Sequence, residues 1–360
     1  LVLQTLLVQN LRIIEQLDIS FAQDANLFIG ENGAGKTSIL EAIDVLSRGR
    51  SFRERRSSPL IQQQADLLTV SGKVVDKEET THLGIQKSSK QTLLHCNQEK
   101  VASISTHAGY LPVLTMHPDS HQLIQGGGKN RRNYIDWSAF HVKHDFLAIW
   151  RQYNKCLRQR NAALRNRCSV EELKVWTTPL CELGEKLNIA RSEIFNEISI
   201  LFDKYIDILL PECSVEITFN AGWEADKTLE EALISTREQE NISKTTRCGP
   251  HRADINIILN EQKASATASR GQQKLLAASL LLAQIDHIQQ SKNRKSVVLL
   301  DDIRAELDQQ HAQAFITTLQ NLGCQVFITA IERDQISLEG WQDTKVFHVK
   351  QGVCAPLESA

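Results

Sequence analysis

The sequence predicts an α/β fold: a mixed, mainly parallel sheet, with antiparallel strands contributed by the N-terminal region and an inserted helical lobe. Three observations carry the prediction. A glycine-rich loop, Gly30 to Thr37, joins a short apolar strand to an amphipathic helix. Strand and helix patterns alternate from Asp254 to Thr329, the order expected of a parallel sheet with helices on its faces. Between these halves, residues 141–210 keep a helical period.

From Leu1 to Ile29 the apolar residues come in short runs bounded by Asn, Asp and Gly: Leu1-Val2-Leu3, Leu6-Leu7-Val8, Ile13-Ile14 and Leu27-Phe28-Ile29. Such runs predict strands. After Thr37 the period changes, and Ile39, Leu40, Ile43 and Leu46 share one helix face. Leu67 to Val75 and Thr80 to Ile85 read as a hairpin around the polar Asp76-Lys77-Glu78. Trp150, Tyr153, Leu157 and Leu164 mark one long helix; Leu180, Leu183, Leu187, Ile194, Ile198 and Leu201 mark another, which Pro211 ends. A β-like stretch, Cys213 to Phe219, follows. Strand Asp254–Leu259, helix Gln272–Gln289, strand Val297–Leu300, helix Gln309–Leu322 and strand Gln325–Thr329 complete the order. Residues 1–140 and 246–360 are therefore expected to form one split α/β domain, and 141–245 a mostly helical insert.

Composition excludes several classes. The 360 residues carry 41 Lys+Arg against 43 Asp+Glu, a formal net charge of -2, and 41% are hydrophobic. A disordered tail and a uniformly basic nucleic-acid coat are both excluded. No apolar run reaches the roughly 18 residues of a membrane span. Leu1 to Asn10 lacks the basic start and small-residue cleavage site of a signal peptide. The eight cysteines form no C-x-x-C pair, so reduced thiols of a cytoplasmic protein are expected.

Gly30-Glu31-Asn32-Gly33-Ala34-Gly35-Lys36-Thr37 satisfies G-x-x-x-x-G-K-[ST] in the required context, after a strand and opening a helix. The glycines let backbone N–H groups curl around phosphates, the helix N-terminus adds its positive end, Lys36 reaches the β and γ phosphates, and Thr37 offers a hydroxyl to Mg²⁺. The apolar run Val297 to Leu300 delivers Asp301 to its carboxyl end as the partner Mg²⁺ ligand, and puts Asp302 where it can polarise an attacking water.

Ser269-Arg270-Gly271-Gln272 opens a helix upstream of Asp301 and resembles the signature motif of ABC-type ATPases. In those proteins the Ser hydroxyl, the Gly backbone and the helix N-terminus contact the γ phosphate of ATP on the opposite subunit. Ser269 is equally suited to be a helix N-cap. Ala305-Glu306-Leu307-Asp308 looks like the loop after the Mg²⁺ strand, with Asp308 at the dimer interface. A helical lobe between the phosphate loop and the signature motif narrows the likeness. The chain resembles the RecF family of SMC-like ABC ATPases nearly end to end. The carriers are Gly30 to Thr37, Gly49-Arg50-Ser51-Phe52-Arg53, Arg131-Arg132 with Asp136, Arg160 to Leu164, Gly249-Pro250-His251-Arg252, Ser269 to Gln272 and Asp301-Asp302. Leu11-Arg12-Ile13 stands where the family usually has Phe-Arg-Asn, and Gln273 and Ala268 where it commonly has Leu. No His follows the strand Gln325–Thr329, and His117-Pro118-Asp119 is the nearest counterpart of a Gln loop.

The resemblance implies a P-loop ABC-type ATPase head. ATP with Mg²⁺ joins two copies head to head, and the dimer clamps duplex or gapped DNA. Slow, DNA-stimulated hydrolysis acts as a timer that releases it. RecR and RecO are the implied partners in placing RecA on gaps during repair and SOS induction. With so small a net charge, phosphate-backbone affinity must come from local patches. One candidate holds Arg48, Arg50, Arg53, Arg55 and Arg56; the other runs from Lys143 through Arg151, Lys155, Arg158 and Arg160 to Arg167. Rival readings are a transporter ATPase subunit and an SMC-like nuclease-associated ATPase.

Overall fold

The computed structural model describes residues 1–54 and 56–357. The chain opens with β1 (Val2–Leu11), β2 (Ile14–Ser20), β3 (Ala25–Ile29) and α1 (Lys36–Arg48). A meander of β4 (Leu67–Asp76), β5 (Glu79–Ser88), β6 (Thr92–Cys96) and β7 (Glu99–Lys100) follows, then α2 (Ile104–Tyr110) and β8 (Val113–Met116). The middle of the chain holds α3 (Gln122–Gln125), α4 (Gly128–Val142), α5 (Phe146–Arg165), α6 (Val170–Leu209), β9 (Val215–Asn220), α7 (Leu229–Ser235), α8 (Arg237–Ser243), β10 (Asp254–Leu259), β11 (Gln262–Lys263) and α9 (Ala264–Thr267). Then come α10 (Arg270–Lys292), β12 (Val297–Leu300), α11 (Ile303–Glu306), α12 (Gln309–Asn321), β13 (Gln325–Ala330), β14 (Thr344–Lys350) and β15 (Val353–Pro356).

Contacts divide the chain into two units, 1–120 with 288–360, and 121–287. These borders lie outside the 141 and 245 suggested by composition, because α4 and β10 are tied to the helical segment. Arg131 holds the Asp254 carboxylate through Nε at 2.6 Å and Nη2 at 3.0 Å. The Tyr134 hydroxyl donates to the Leu280 carbonyl at 2.7 Å.

The first unit contains two six-stranded sheets. One has the order β2-β1-β4-β5-β6-β7 and is antiparallel throughout. In the other, β15-β14-β3-β13-β12-β8, every pair is parallel except β14 with β15. Burial follows from this difference. Alternate residues of β4 are buried, whereas β12 and β13 are buried on both faces, as central parallel strands must be.

Helix α1 touches β1, β4 and β5 of one sheet and β13 of the other, and Ser38 to Ser47 are all buried. The sequence pattern predicted a single buried face; the polar face is buried as well. The polar groups at Glu41, Asp44 and Ser47 have partners there, although one oxygen of Asp44 accepts no hydrogen bond. Glu41 accepts from Arg12, Asp44 pairs with Arg48, and the Ser47 hydroxyl donates to the Leu111 carbonyl at 2.6 Å.

One expectation is corrected in the sheets, and one strand is added. Strand Asp254–Leu259 does not join the parallel sheet; β10 pairs antiparallel with β9 and β11 in a three-stranded sheet of the second unit. Its burial is one-sided, which suits an antiparallel strand. Conversely β8, unmarked by any long apolar run, pairs parallel with β12 in register Met116 to Leu300.

In the second unit α5 and α6 pack along one another. A capping box between Ser169 and Glu172 starts α6, which stops just before Pro211. Arg160 of α5, one of the residues proposed for DNA contact, is only 1% exposed. Its guanidinium is bidentate to Glu240, itself fully buried, at 3.0 and 2.7 Å, and also donates to Thr177 and Thr246. Arg160 is therefore a structural ion pair, out of reach of a phosphate backbone. Arg160→Ala, which strands Glu240 as a buried charge, is expected to cost about 3–5 kcal/mol of stability in urea unfolding.

Candidate nucleotide site

The site is assembled where strands end. Buried β3 leads into the phosphate loop, whose backbone only glycine fits at its start: Gly30 has φ 152°, and a Cβ there would sit 2.3 Å from the Val349 carbonyl oxygen. At the other end Gly35 adopts φ 110° as the N-cap of α1. No side chain caps that helix, so its first N–H groups face the loop.

Lys36 folds over the loop, its Nζ donating to the Gly30 carbonyl at 2.6 Å and the Glu31 carbonyl at 2.9 Å. Burial pushes its ammonium below the usual lysine range, against the opposing pull of Asp302 and Asp301. The Thr37 hydroxyl donates to Asp301 Oδ1 at 2.8 Å, so two hard-oxygen donors from opposite ends of the sequence share one point. Burial raises the Asp301 carboxyl above its ordinary value; hydrogen bonds from Thr37 and Thr329 and the charge of Arg53 resist the rise. Asp302 is exposed and sits at φ 52°, a left-handed conformation that Asp tolerates better than most residues. Its N–H is fixed by Thr329 Oγ1 at 2.8 Å, and the same hydroxyl donates to Asp301 Oδ1 at 3.1 Å.

A cavity of about 330 Å³ brings these groups together, lined by Asn32, Gly33, Gly35, Lys36, Thr37, Asp301 and Asp302. Six lining residues escaped the sequence reading: Ile13, Ser38, Thr329, Ala330, Ile331 and, in this role, Arg53. The one available signal for Thr329 was a hydroxyl residue near the end of an otherwise apolar strand. Arg53 was read as part of a basic surface cluster, and that cluster separates. Arg48 is bound to Asp44, Arg53 faces the cavity, and Arg50 and Arg56 are exposed. Arg55 lies outside the described residues. His117, at the carboxyl end of β8, packs its ring at a tilt against Phe52, with centroids 5.2 Å apart. Ile331 follows β13 and also lines the cavity, so an aliphatic residue stands where a switch His was sought.

The remaining predicted residues lie elsewhere. Ser269, Gly271 and Gln272 belong to the second unit, at the exposed start of α10. Ser269 Oγ accepts from the Gln272 N–H at 3.2 Å while Gln272 Oε1 accepts from the Ser269 N–H at 2.9 Å, a reciprocal cap. The unusual pair behind them is coupled: the buried Gln273 donates Nε2 to the carbonyl of the buried Ala268 at 2.9 Å. Asp308 is exposed and caps α12. In the second basic cluster Arg151 and Arg158 are exposed, and Lys143 is paired with Glu193 at 2.7 Å.

The arrangement suits Mg²⁺-nucleoside triphosphate: uncapped helix N–H groups and Lys36 for phosphate, Thr37 and Asp301 for the metal, Asp302 for water. A profile of the family described as RecF/RecN/SMC N terminal domain matches residues 2–355. Fold and site thus define a P-loop ATPase head of the SMC type. DNA replication and repair protein RecF of Thioalkalivibrio sulfidiphilus is 38% identical over 358 residues, 98% of each chain. Its counterpart from Cellvibrio japonicus is also 38% identical, covering 97% of this chain and 98% of the relative. The chain belongs to the RecF family. A solved structure of a recombination mediator protein RecF with ATP superposes with a TM-score of 0.88 at 24% identity, over 99% of this chain and 97% of that one. An Smc head domain derived from Pyrococcus furiosus gives 0.61 at 16%, over 99% and 95%. The family match favours the RecF reading over the transporter and nuclease-associated alternatives. Among the described residues no helix is long and apolar enough to cross a membrane.

The raised Asp301 carboxyl has a measurable consequence. Where Asp301 is ionised in both folded and unfolded chains, its buried charge costs stability; where both are protonated the cost is gone. Asp301→Asn should raise the Tm of nucleotide-free protein by about 2–4 °C at pH 8. The gain should shrink as pH falls toward the ordinary carboxylate range, and come with loss of Mg²⁺-dependent nucleotide binding, which calorimetry with and without Mg²⁺ would check.

Proposed function

We propose that this chain is an ATP-gated DNA clamp of recombinational repair and replication-gap processing. The observation that carries the reading is the Thr37–Asp301 contact at 2.8 Å, beside Lys36 and Asp302 in one cavity. The names of its relatives, which speak of DNA replication and repair, and the description of the similar RecF structure with ATP support it.

In this reading the loop from Gly30 to Thr37, with Glu31, Asn32, Gly33 and Ala34, wraps the phosphates, and the α1 N-terminus stabilises their charge. Lys36 exchanges its two carbonyl partners for phosphate oxygens. Thr37 and Asp301 would hold Mg²⁺, which would supply positive charge against the phosphates. Asp302, its main chain clamped by Thr329, orients the attacking water and accepts its proton.

Ser269 Oγ accepts from Gln272, which leaves its own hydrogen free for a phosphate oxygen held by a second copy. Gly271 and the start of α10 join it there, and Asp308 faces a second copy in its own right. ATP is thus the adhesive of a homodimer, and slow DNA-stimulated hydrolysis is its timer. The exposed Arg50, Arg56, Arg151 and Arg158 track the backbone of duplex or gapped DNA without reading bases. RecR, RecO and RecA are the partners on the gap, and the protein works in the cytoplasm.

Equilibrium binding to a gapped duplex in ATP, in ADP and without nucleotide, with mass measured in parallel at stated salt, tests the clamp. Tight binding by a dimer only in ATP is expected; nucleotide-independent binding by a monomer would refute it. Lys36→Ala should abolish ATP-dependent dimerisation. Asp302→Asn should keep the dimer while slowing turnover about 10²-fold or more, and wild-type turnover would remove Asp302 from its role.

A further inference from the structure

The segment from Gly49 to Glu54 has no helix or strand, yet it is pinned. Ser51 is 3% exposed, and its hydroxyl makes three hydrogen bonds. It donates to Glu41 Oε1 at 2.6 Å and accepts the N–H groups of Arg53 at 3.0 Å and Glu54 at 3.4 Å. That is a serine turn, in which a side chain fixes the backbone two and three residues on. Glu41 is fully buried in the middle of α1 and is gripped from the other side by Arg12, through Nε at 3.1 Å and Nη2 at 2.9 Å. The anchor beneath Ser51 is therefore rigid. At the segment's start, the buried Lys87 donates to the Gly49 carbonyl, and Phe52 rests on the His117 ring.

These contacts aim one side chain. Arg53 leaves the turn and lines the cavity with Thr37, Asp301 and Asp302, the end of the site that takes the metal and the terminal phosphate. A long guanidinium side chain on an irregular segment is useful to a phosphate only if its backbone is held beforehand.

We propose that Ser51, anchored on Glu41, is a positioning residue that sets the Arg53 guanidinium against the terminal phosphate, so that triphosphate is distinguished from diphosphate through a hydroxyl that touches neither. The proposal rests on the ATP reading above. It gives the buried polar face of α1 a task, since the helix that presents the phosphate loop also carries the carboxylate that sets the opposing arginine.

The test compares ATPγS and ADP, each with Mg²⁺, by titration calorimetry on the full chain. Ser51→Ala should weaken ATPγS about tenfold, the loss expected when a charge-assisted hydrogen bond is no longer held in place, while ADP changes less than twofold. Ser51→Thr, which keeps the hydroxyl, should restore the ratio. In an Arg53→Ala background, Ser51→Ala should have no further effect, because both act through one contact. Equal weakening of both nucleotides, or additive losses in the double variant, would overturn the proposal. Should Ser51→Ala fail to fold, Ser51→Cys, similar in shape but a poor donor, takes its place with the same expectations. A wild-type chain that binds neither nucleotide would overturn the ATP reading itself and the proposal with it.

Discussion

A helix buried on every side can hold a charged residue only if that residue has a partner, and Glu41 and Asp44 of α1 both have one. Its apolar side chains fill the space between the two sheets of the first unit, while Glu41, Asp44 and Ser47 each meet a specific donor or acceptor. Those partners are not incidental: Arg12 comes from the β1–β2 turn, Ser51 from the irregular segment after α1, and the Leu111 carbonyl from the approach to β8. Satisfying the helix therefore fixes the chain around it. The phosphate loop at its N-terminus inherits that rigidity, since neither sheet can shift without unpairing a buried group.

The same constraint explains what could be read from sequence. The phosphate loop was legible because its chemistry is contiguous: strand, glycines, Lys36-Thr37 and helix all fall within one stretch. Asp301 was legible because a buried strand announces its own end. Arg53 and Arg160 were not, for the opposite reason. Both stand among other basic residues, and nothing local distinguishes a guanidinium aimed into a cavity or at a buried Glu240 from one in water. Their partners are distant in sequence, and only the fold brings them near.

Strand placement divides along similar lines. Apolar runs identified β12 and β13, which are buried on both faces. They misassigned β10, whose pairing depends on neighbours rather than on its own composition, and they passed over β8 and α4. In α4 the apolar residues crowd its second half without following one face, and polar ties help to hold it, Arg131 to Asp254 and Tyr134 to Leu280. A helix held by hydrogen bonds and an ion pair leaves little hydrophobic period to detect.

The contact between Gln273 and Ala268 bears on how this sequence can drift. In place of two leucines, the chain carries a small residue and an amide that reaches back to that residue's own carbonyl. Restoring a leucine at 273 alone would remove the donor and leave the buried carbonyl without it; restoring one at 268 alone would crowd the space the amide crosses. A leucine at either position alone is therefore worse than the present pair. A consensus-guided redesign that repaired one position at a time would see two harmful substitutions, where the pair together forms a second workable solution.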